Sequence, residues 1–352
     1  MPQVRFFIRK TKMSLITGPW TLKDLKAGKI GAPKNGLKVF SCFHCGGGSS
    51  MGYKLAGFDV LGGVEIDPKM MAIYRKNLNP VFSYEMPIQE FKLRKDIPEE
   101  LFNLDILDGS PPCSSFSMAG SREDAWGENK KFREGQAKQI LDDLFFHFID
   151  VAKILKPKIV IAENVKGLII GNAKGYVKEI FEGFRKAGYE TQLFLFNASK
   201  MGVPQARERT FFIARRIDLN LPKLIPMFNE PIISARICFK GIKNNGPKLT
   251  EKFKSYWSKI IPGKGLGEIG KYNAHKKIHP DRPALTQTGS LRHMHWKHPR
   301  YLNDMEIIRL QSFPEDYNFL DQSVGYVCGM SVPPFMMQRV AKEIHKQLLT
   351  LR

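Results

Sequence analysis

Between Leu37 and Pro68 the chain passes through an apolar stretch, a glycine cluster, an amphipathic stretch and a second apolar stretch that ends in acid. The four read "LKVF", "HCGGGSS", "MGYKLAGF" and "DVLGGVEIDP". Strand, glycine turn, helix and strand in that order make the opening of a nucleotide-binding α/β unit. Gly46, Gly47 and Gly48 would let the backbone approach a ligand. Glu65, at the tip of the second strand, could accept hydrogen bonds from two ribose hydroxyls. Any tight turn uses glycine, so it is the carboxylate at the expected offset that gives the pattern its meaning.

The alternation continues. "QILDDLFFHFIDVAKIL" has helical periodicity and runs into "KPKIVIAENV", a buried strand ended by Glu163 and Asn164. "KGYVKEIFEGFRKAGY" reads as a second amphipathic helix, and "ETQLFLFNA" and "RTFFIARR" as strands. The expected fold is α/β, a Rossmann-like, mostly parallel sheet with helices on both faces, joined to a smaller irregular lobe. Residues 1–36 are expected as a basic arm and 37–216 as the catalytic, cofactor-binding domain. Residues 217–324, rich in Pro, Gly and Lys from Ile217 to about His279, are expected as a second, basic lobe and hinge, and 325–352 as a segment returning to the sheet.

"SPPCSSFS" follows the short apolar run around Ile106 and Leu107. Proline fixes φ and donates no backbone hydrogen bond, so Cys113 sits in a rigid loop just past a strand end. Open α/β sheets hold their ligands there. A buried, inert thiol is the plainer use of a cysteine, and what tips the balance is company. Glu163 ends another strand, and "PQARER", carrying Arg207 and Arg209, precedes a third. A thiol, a carboxyl and two arginines near a nucleotide-like site suit covalent catalysis on an electron-poor ring.

The formal charge of +21 draws a polyanion and adds nothing to a fold, so nucleic acid is the expected partner. Five cysteines in 352 residues are an odd number, which argues for reduced thiols rather than a disulfide framework. Cys42 and Cys45 form a CxxC with no second ligand pair at zinc spacing, so no metal is expected. No stretch offers ~18 uncharged apolar residues, and the N-terminus lacks a signal peptide's layout. The expectation is a monomer without a membrane partner, cytoplasmic and nucleoid-associated in a bacterium or phage, nuclear in a eukaryote.

From Leu37 onward the motifs resemble, in order, those of the cytosine-5 DNA methyltransferases: "FHCGGG", "VEID", "PPCSSFS", "ENV", "QARER", then "RPALT", "RLQSFP" and "GMSVPP". The resemblance implies methyl transfer from S-adenosylmethionine, leaving S-adenosylhomocysteine, to C5 of a cytosine flipped out of double-stranded DNA within a specific sequence. It assigns Cys113 to attack at C6, Glu163 to N3, and Arg209 with Arg207 to the cytosine O2. For the cofactor it assigns Phe43, Cys45, the glycine turn, Glu65, Ile66, Pro112, Leu144, Met330 and Ser331. Helix core is an equal reading of Leu144.

The chain departs from the family pattern at four places. Cys45 stands where glycine is usual, Met330 replaces an asparagine, and "EMPI" leaves Glu85 or, in another register, no acidic residue at all for the adenine amine. Ser114 and Ser115 follow the nucleophile in place of Gln and Pro. A tRNA-directed relative and a DNA-binding scaffold that has lost catalysis are the competing readings.

Overall fold

The computed structural model describes residues 18–112, 129–130, 139–140, 143–170, 174–269, 275–289 and 292–350. Seven strands form the central sheet: β1 (Lys38–Cys42), β2 (Asp59–Glu65), β3 (Phe82–Glu85), β4 (Ile106–Gly109), β5 (Ile159–Val165), β6 (Tyr189–Asn197) and β7 (Glu208–Arg216). Their order is β3-β2-β1-β4-β5-β7-β6. All pairs are parallel except those of β7, which runs antiparallel to both β5 and β6. Chain order reverses direction across the sheet at β1 and β4, so a crevice opens beyond their carboxyl ends.

Strand alternation explains the layers. Val39, Ile106, Ile159, Ile161, Phe211 and Ile213 face one apolar cluster. Phe40, Leu107, Val160, Ala162, Phe212 and Ala214 face the other. The first is covered by α2 (Gly48–Leu55), α3 (Pro68–Leu78) and α9 (Pro334–Ile344), and the second by α4 (Leu144–Leu155) and α5 (Lys174–Lys186). Each large side chain so buried contributes about 1.5–3 kcal/mol. The helix expected from Gln139 begins only at Leu144.

Residues 18–36, expected within a separate arm, are part of the body. Trp20 is buried and donates from Nε1 to the Ser312 carbonyl at 3.0 Å, and the Leu22 N–H donates to Asp316 Oδ1 at 2.6 Å. Thr21 caps the short α1 (Leu22–Lys26). The reason is a contact across 292 residues of chain, which no local pattern announces.

The lobe after Ile217 includes α6 (Glu251–Lys259) and α7 (Asp304–Leu310) and is held by two small apolar clusters. Ala284–Leu285 pairs in parallel with Gln205–Ala206, tying the lobe's return to the segment before β7. The chain then enters α8 (Val324–Met330) and α9. The side chain of α2 Gly52 could not grow, because an added Cβ would lie 2.6 Å from that of Met337 in α9.

Candidate active site

The crevice is a cleft of about 780 Å³, open to solvent. Phe43, Cys45, Glu65, Ile66, Pro112, Leu144 and Met330, all expected at the cofactor, line it. Val64, Asp67, Met70, Met86, Pro87, Ile88, Ser110 and Tyr326 line it too, and the sequence reading missed them. For the apolar ones the signal was faint: each is an ordinary core-type residue, and only adjacency to the β2 and β3 tips marks it. Leu144 serves both its readings, since it also packs in the cluster beneath α4.

Glu65 is the polar anchor. Its Oε2 accepts from the Cys45 N–H at 2.9 Å and its Oε1 from the Asp67 N–H at 3.1 Å. Burial pushes its carboxyl up to about 7, with those two donors pulling the other way. The carboxylate, with about four acceptor sites, keeps capacity for a ligand hydroxyl. Glu85, the acid proposed for the adenine amine, is instead exposed and paired with Arg75 at 2.8 Å. Met86 and Pro87 occupy the wall there.

Phe43 and Cys45 take left-handed backbone conformations, φ 55° and 48°. Such conformations cost a non-glycine residue about 1–3 kcal/mol, so the glycine usual at the second position would be relaxed there. The Cys45 bond to Glu65 and a 3.7 Å contact of its thiol with Met70 Sδ offset the strain. Burial, then the Glu65 carboxylate, push that thiol up to about 12, so Cys45 is no nucleophile near neutral pH. Cys42 is buried in the other apolar layer, and both are free thiols. His44 stacks on Tyr74 at 3.7 Å, and burial lowers it to about 4.

Gly46, Gly47 and Gly48 are required by protein neighbours and are absent from the cleft wall. A Cβ on Gly46 would meet Val327 at 2.5 Å, one on Gly47 would meet Leu78 at 2.6 Å, and one on Gly48 would meet the Val332 carbonyl at 2.0 Å. The turn packs against α3 and the α8–α9 connection, which carries Ser331. Ser331 is buried, and its carbonyl accepts from Gln311 at 2.7 Å.

The catalytic candidates meet at the same edge. Arg209 lies opposite Val165, and Phe211 opposite Glu163, because β7 is reversed. Arg209 Nε is 3.0 Å from Glu163 Oε1, both side chains being largely buried. The N–H is not aligned on that oxygen, which has no hydrogen-bond donor among the described residues. Burial lowers Arg209, and the Glu163 carboxyl opposes that shift. Asn164 Nδ2 donates to the Pro111 carbonyl at 3.0 Å, two residues before Cys113. Cys113 itself lies outside the described residues.

Arg207, grouped with Arg209 on sequence, is used differently. Its two Nη atoms donate to the carbonyls of Gln287 at 2.8 Å and Gly329 at 3.0 Å. It is 2 % exposed and joins the lobe's return strand to α8. Where the resemblance expects it at the cytosine O2, its two Nη atoms are engaged by these backbone carbonyls.

No group of three or more His, Cys, Asp or Glu side chains able to hold a metal occurs among the described residues. No helix among them is long and apolar enough to cross a membrane.

The cleft lies beyond the carboxyl ends of β1, β2 and β4, and the Glu163–Arg209 pair lies on the neighbouring strands β5 and β7. A family model described as C-5 cytosine-specific DNA methylase matches residues 37–258 and 240–346, and the chain belongs to that family of DNA cytosine-5 methyltransferases. Type II methyltransferase M1.HphI of Haemophilus parahaemolyticus is 28% identical over 335 residues, covering 88% of this chain and 87% of that one. Type II methyltransferase M.NgoPII of Neisseria gonorrhoeae is 27% identical over 349 residues, covering 89% and 97%. Among solved structures, a putative DNA modification methyltransferase encoded within a prophage (E. coli) superposes with a TM-score of 0.69 at 21% identity, covering 88% of this chain and 99% of that one. DNMT2 of Spodoptera frugiperda does so with 0.61 at 18% identity, covering 88% and 99%.

Proposed function

We propose that this chain methylates C5 of a cytosine flipped out of double-stranded DNA, through a covalent bond from Cys113 to C6. C5 of an aromatic cytosine is too poor a nucleophile to accept a methyl group directly. The Cys113 thiolate adds to C6, and Glu163 donates a hydrogen bond or proton at N3, so the C5–C6 pair becomes an enamine. Arg209 holds O2 and offsets the charge that develops there. S-adenosylmethionine supplies the methyl group as an electrophile. Loss of the C5 proton then expels the thiolate and restores aromaticity.

The observation that carries this reading is the Glu163–Arg209 pair at 3.0 Å, with an Oε1 that lacks a donor among the described residues, beside the Asn164 bond to the Pro111 carbonyl. The cleft fits the donor. Phe43, Ile66 and Leu144 offer apolar surface to an adenine and Glu65 accepts from a ribose, while Met330 would meet the methionine end. The Type II names of the relatives support DNA as the substrate and restriction–modification as the context.

The test is DNA carrying 5-fluorocytosine in the methylated sequence, identified first by bisulfite sequencing. Fluorine cannot leave as a proton, so a complex stable to denaturing electrophoresis should form only with S-adenosylmethionine present. Cys113→Ser should abolish it, since a hydroxyl is almost wholly protonated near neutral pH. A complex that survives Cys113→Ser but is lost on changing Cys42, Cys45, Cys238 or Cys328 overturns the assignment.

A further inference from the structure

Asp108 is an acid in the middle of the sheet. It sits in β4, paired with Ser41 on one side and Ile161 on the other, and is 2 % exposed. It is absent from the cleft wall, and methyl transfer as described above does not use it. An apolar side chain would fill a core position of β4 without the cost of taking a carboxyl out of water.

Its hydrogen bonds say what it holds. Tyr53, in α2, donates its hydroxyl to Oδ1 at 3.1 Å, and Ser41, in β1, donates Oγ to Oδ2 at 3.2 Å. The Ser41 hydroxyl lies 3.4 Å from that of Ser50 in α2, which is 3.0 Å from the Tyr74 hydroxyl in α3. One carboxyl thus takes hydroxyls from β1 and α2 directly, and the chain through Ser41 and Ser50 extends to α3, all elements around the glycine turn. Two residues later its own strand gives Ser110 and then Pro111–Pro112.

We propose that Asp108 is a positioning residue for methyl transfer, one that holds the cofactor turn and the nucleophile strand in a single register. The proposal rests on the methyl-transfer reading. An ionised carboxylate accepts from all its hydroxyl donors, whereas a protonated one surrenders an acceptor position to its own proton. Burial raises the Asp108 carboxyl to about 7; the bonds from Tyr53 and Ser41 oppose that shift, and Glu163 on β5 adds to it. The other titratable groups facing it are Cys42 on β1, Tyr53 on α2 and Tyr74 on α3, all pushed up by burial and therefore neutral near pH 7. The register consequently tightens as pH rises through about 7.

The sign for stability is opposite. An acid whose folded pKa lies above its unfolded value costs the native state increasingly as pH rises between the two. Against Asp108→Asn, the wild-type protein should bind the cofactor better at high pH while losing thermal stability.

The experiment is calorimetric titration of both proteins with S-adenosylhomocysteine at about pH 6 and about pH 8.5, with thermal unfolding in parallel. Glu65 titrates in the same range but is present in both, so the difference between them reports Asp108. Wild-type affinity should gain roughly three-fold or more over that of Asp108→Asn across this range. Identical pH dependence in the two overturns the positioning role and leaves methyl transfer standing. Wild-type protein that binds no S-adenosylhomocysteine at either pH overturns both. Tyr53→Phe keeps the acid but removes a donor to its charged form, so its midpoint should move up; an unmoved midpoint also overturns the proposal.

Discussion

The sheet carries its candidate site on strand ends backed by two thick apolar layers, whereas the lobe after Ile217 has buried clusters of six and four residues. The lobe compensates with polar staples. Arg300 and Glu306 form a buried two-pronged pair, both contacts at 2.8 Å, and Asn303 closes a capping box at the start of α7. Lys277 lies over the Trp257 ring at 3.7 Å. Meanwhile Lys240, Lys243, Lys248, Lys252, Lys259 and Lys264 stay exposed. A thick core fixes a few reacting atoms, while a thin one leaves surface for cations that meet a backbone of phosphates.

If that division is right, the lobe's lysines set the salt response. Affinity for DNA should fall ~10³-fold or more between about 50 and 200 mM salt for roughly six phosphate contacts. Filter binding across that range would show it, and a flat response would break the contrast between the two regions.

Arg209→Ala should slow methylation by about 10²–10³ with the salt slope unchanged. Arg207→Ala should lower the unfolding temperature as well, because it strands the carbonyls of Gln287 and Gly329. Single-turnover kinetics beside thermal melts separate the two. Equal effects on both readouts for the two arginines would erase the distinction between them.

Gly48→Ala pushes a Cβ against a backbone carbonyl rather than a pliant side chain. It should cost about 1–3 kcal/mol or more of stability by denaturant unfolding, and weaken cofactor binding in step. Met330→Asn adds a hydrogen-bonding group on the cleft wall and should tighten S-adenosylmethionine by about 1 kcal/mol. Weaker binding by calorimetry would mean the cleft has adapted to methionine.

Much of this was legible in the sequence for a physical reason. The candidate site residues lie in short strings bound to strand ends, and the apolar runs of "KPKIVIAENV" and "RTFFIARR" reveal those strands directly. What stayed hidden depends on contacts far apart in the chain. Nothing local separates Arg207 from Arg209 until Gln287 and Gly329 come alongside. Asp108 reads as an interruption of an apolar run, and its meaning appears only when Tyr53 and Ser41 reach it. Cys45 departs from the family's glycine, and only its positive φ explains what the glycine is for.

The packing of α9 on α2 also has a consequence for synthesis. Gly48 and Gly52 are shaped by Val332, Pro334 and Met337, so the wall behind the first turn made is completed by a helix translated much later. At ~5–20 residues per second, roughly ten seconds or more separate the two on the ribosome. During that interval α2 lacks the helix that packs over it. The glycine turn and α2 therefore reach their packed form only once α9 has emerged.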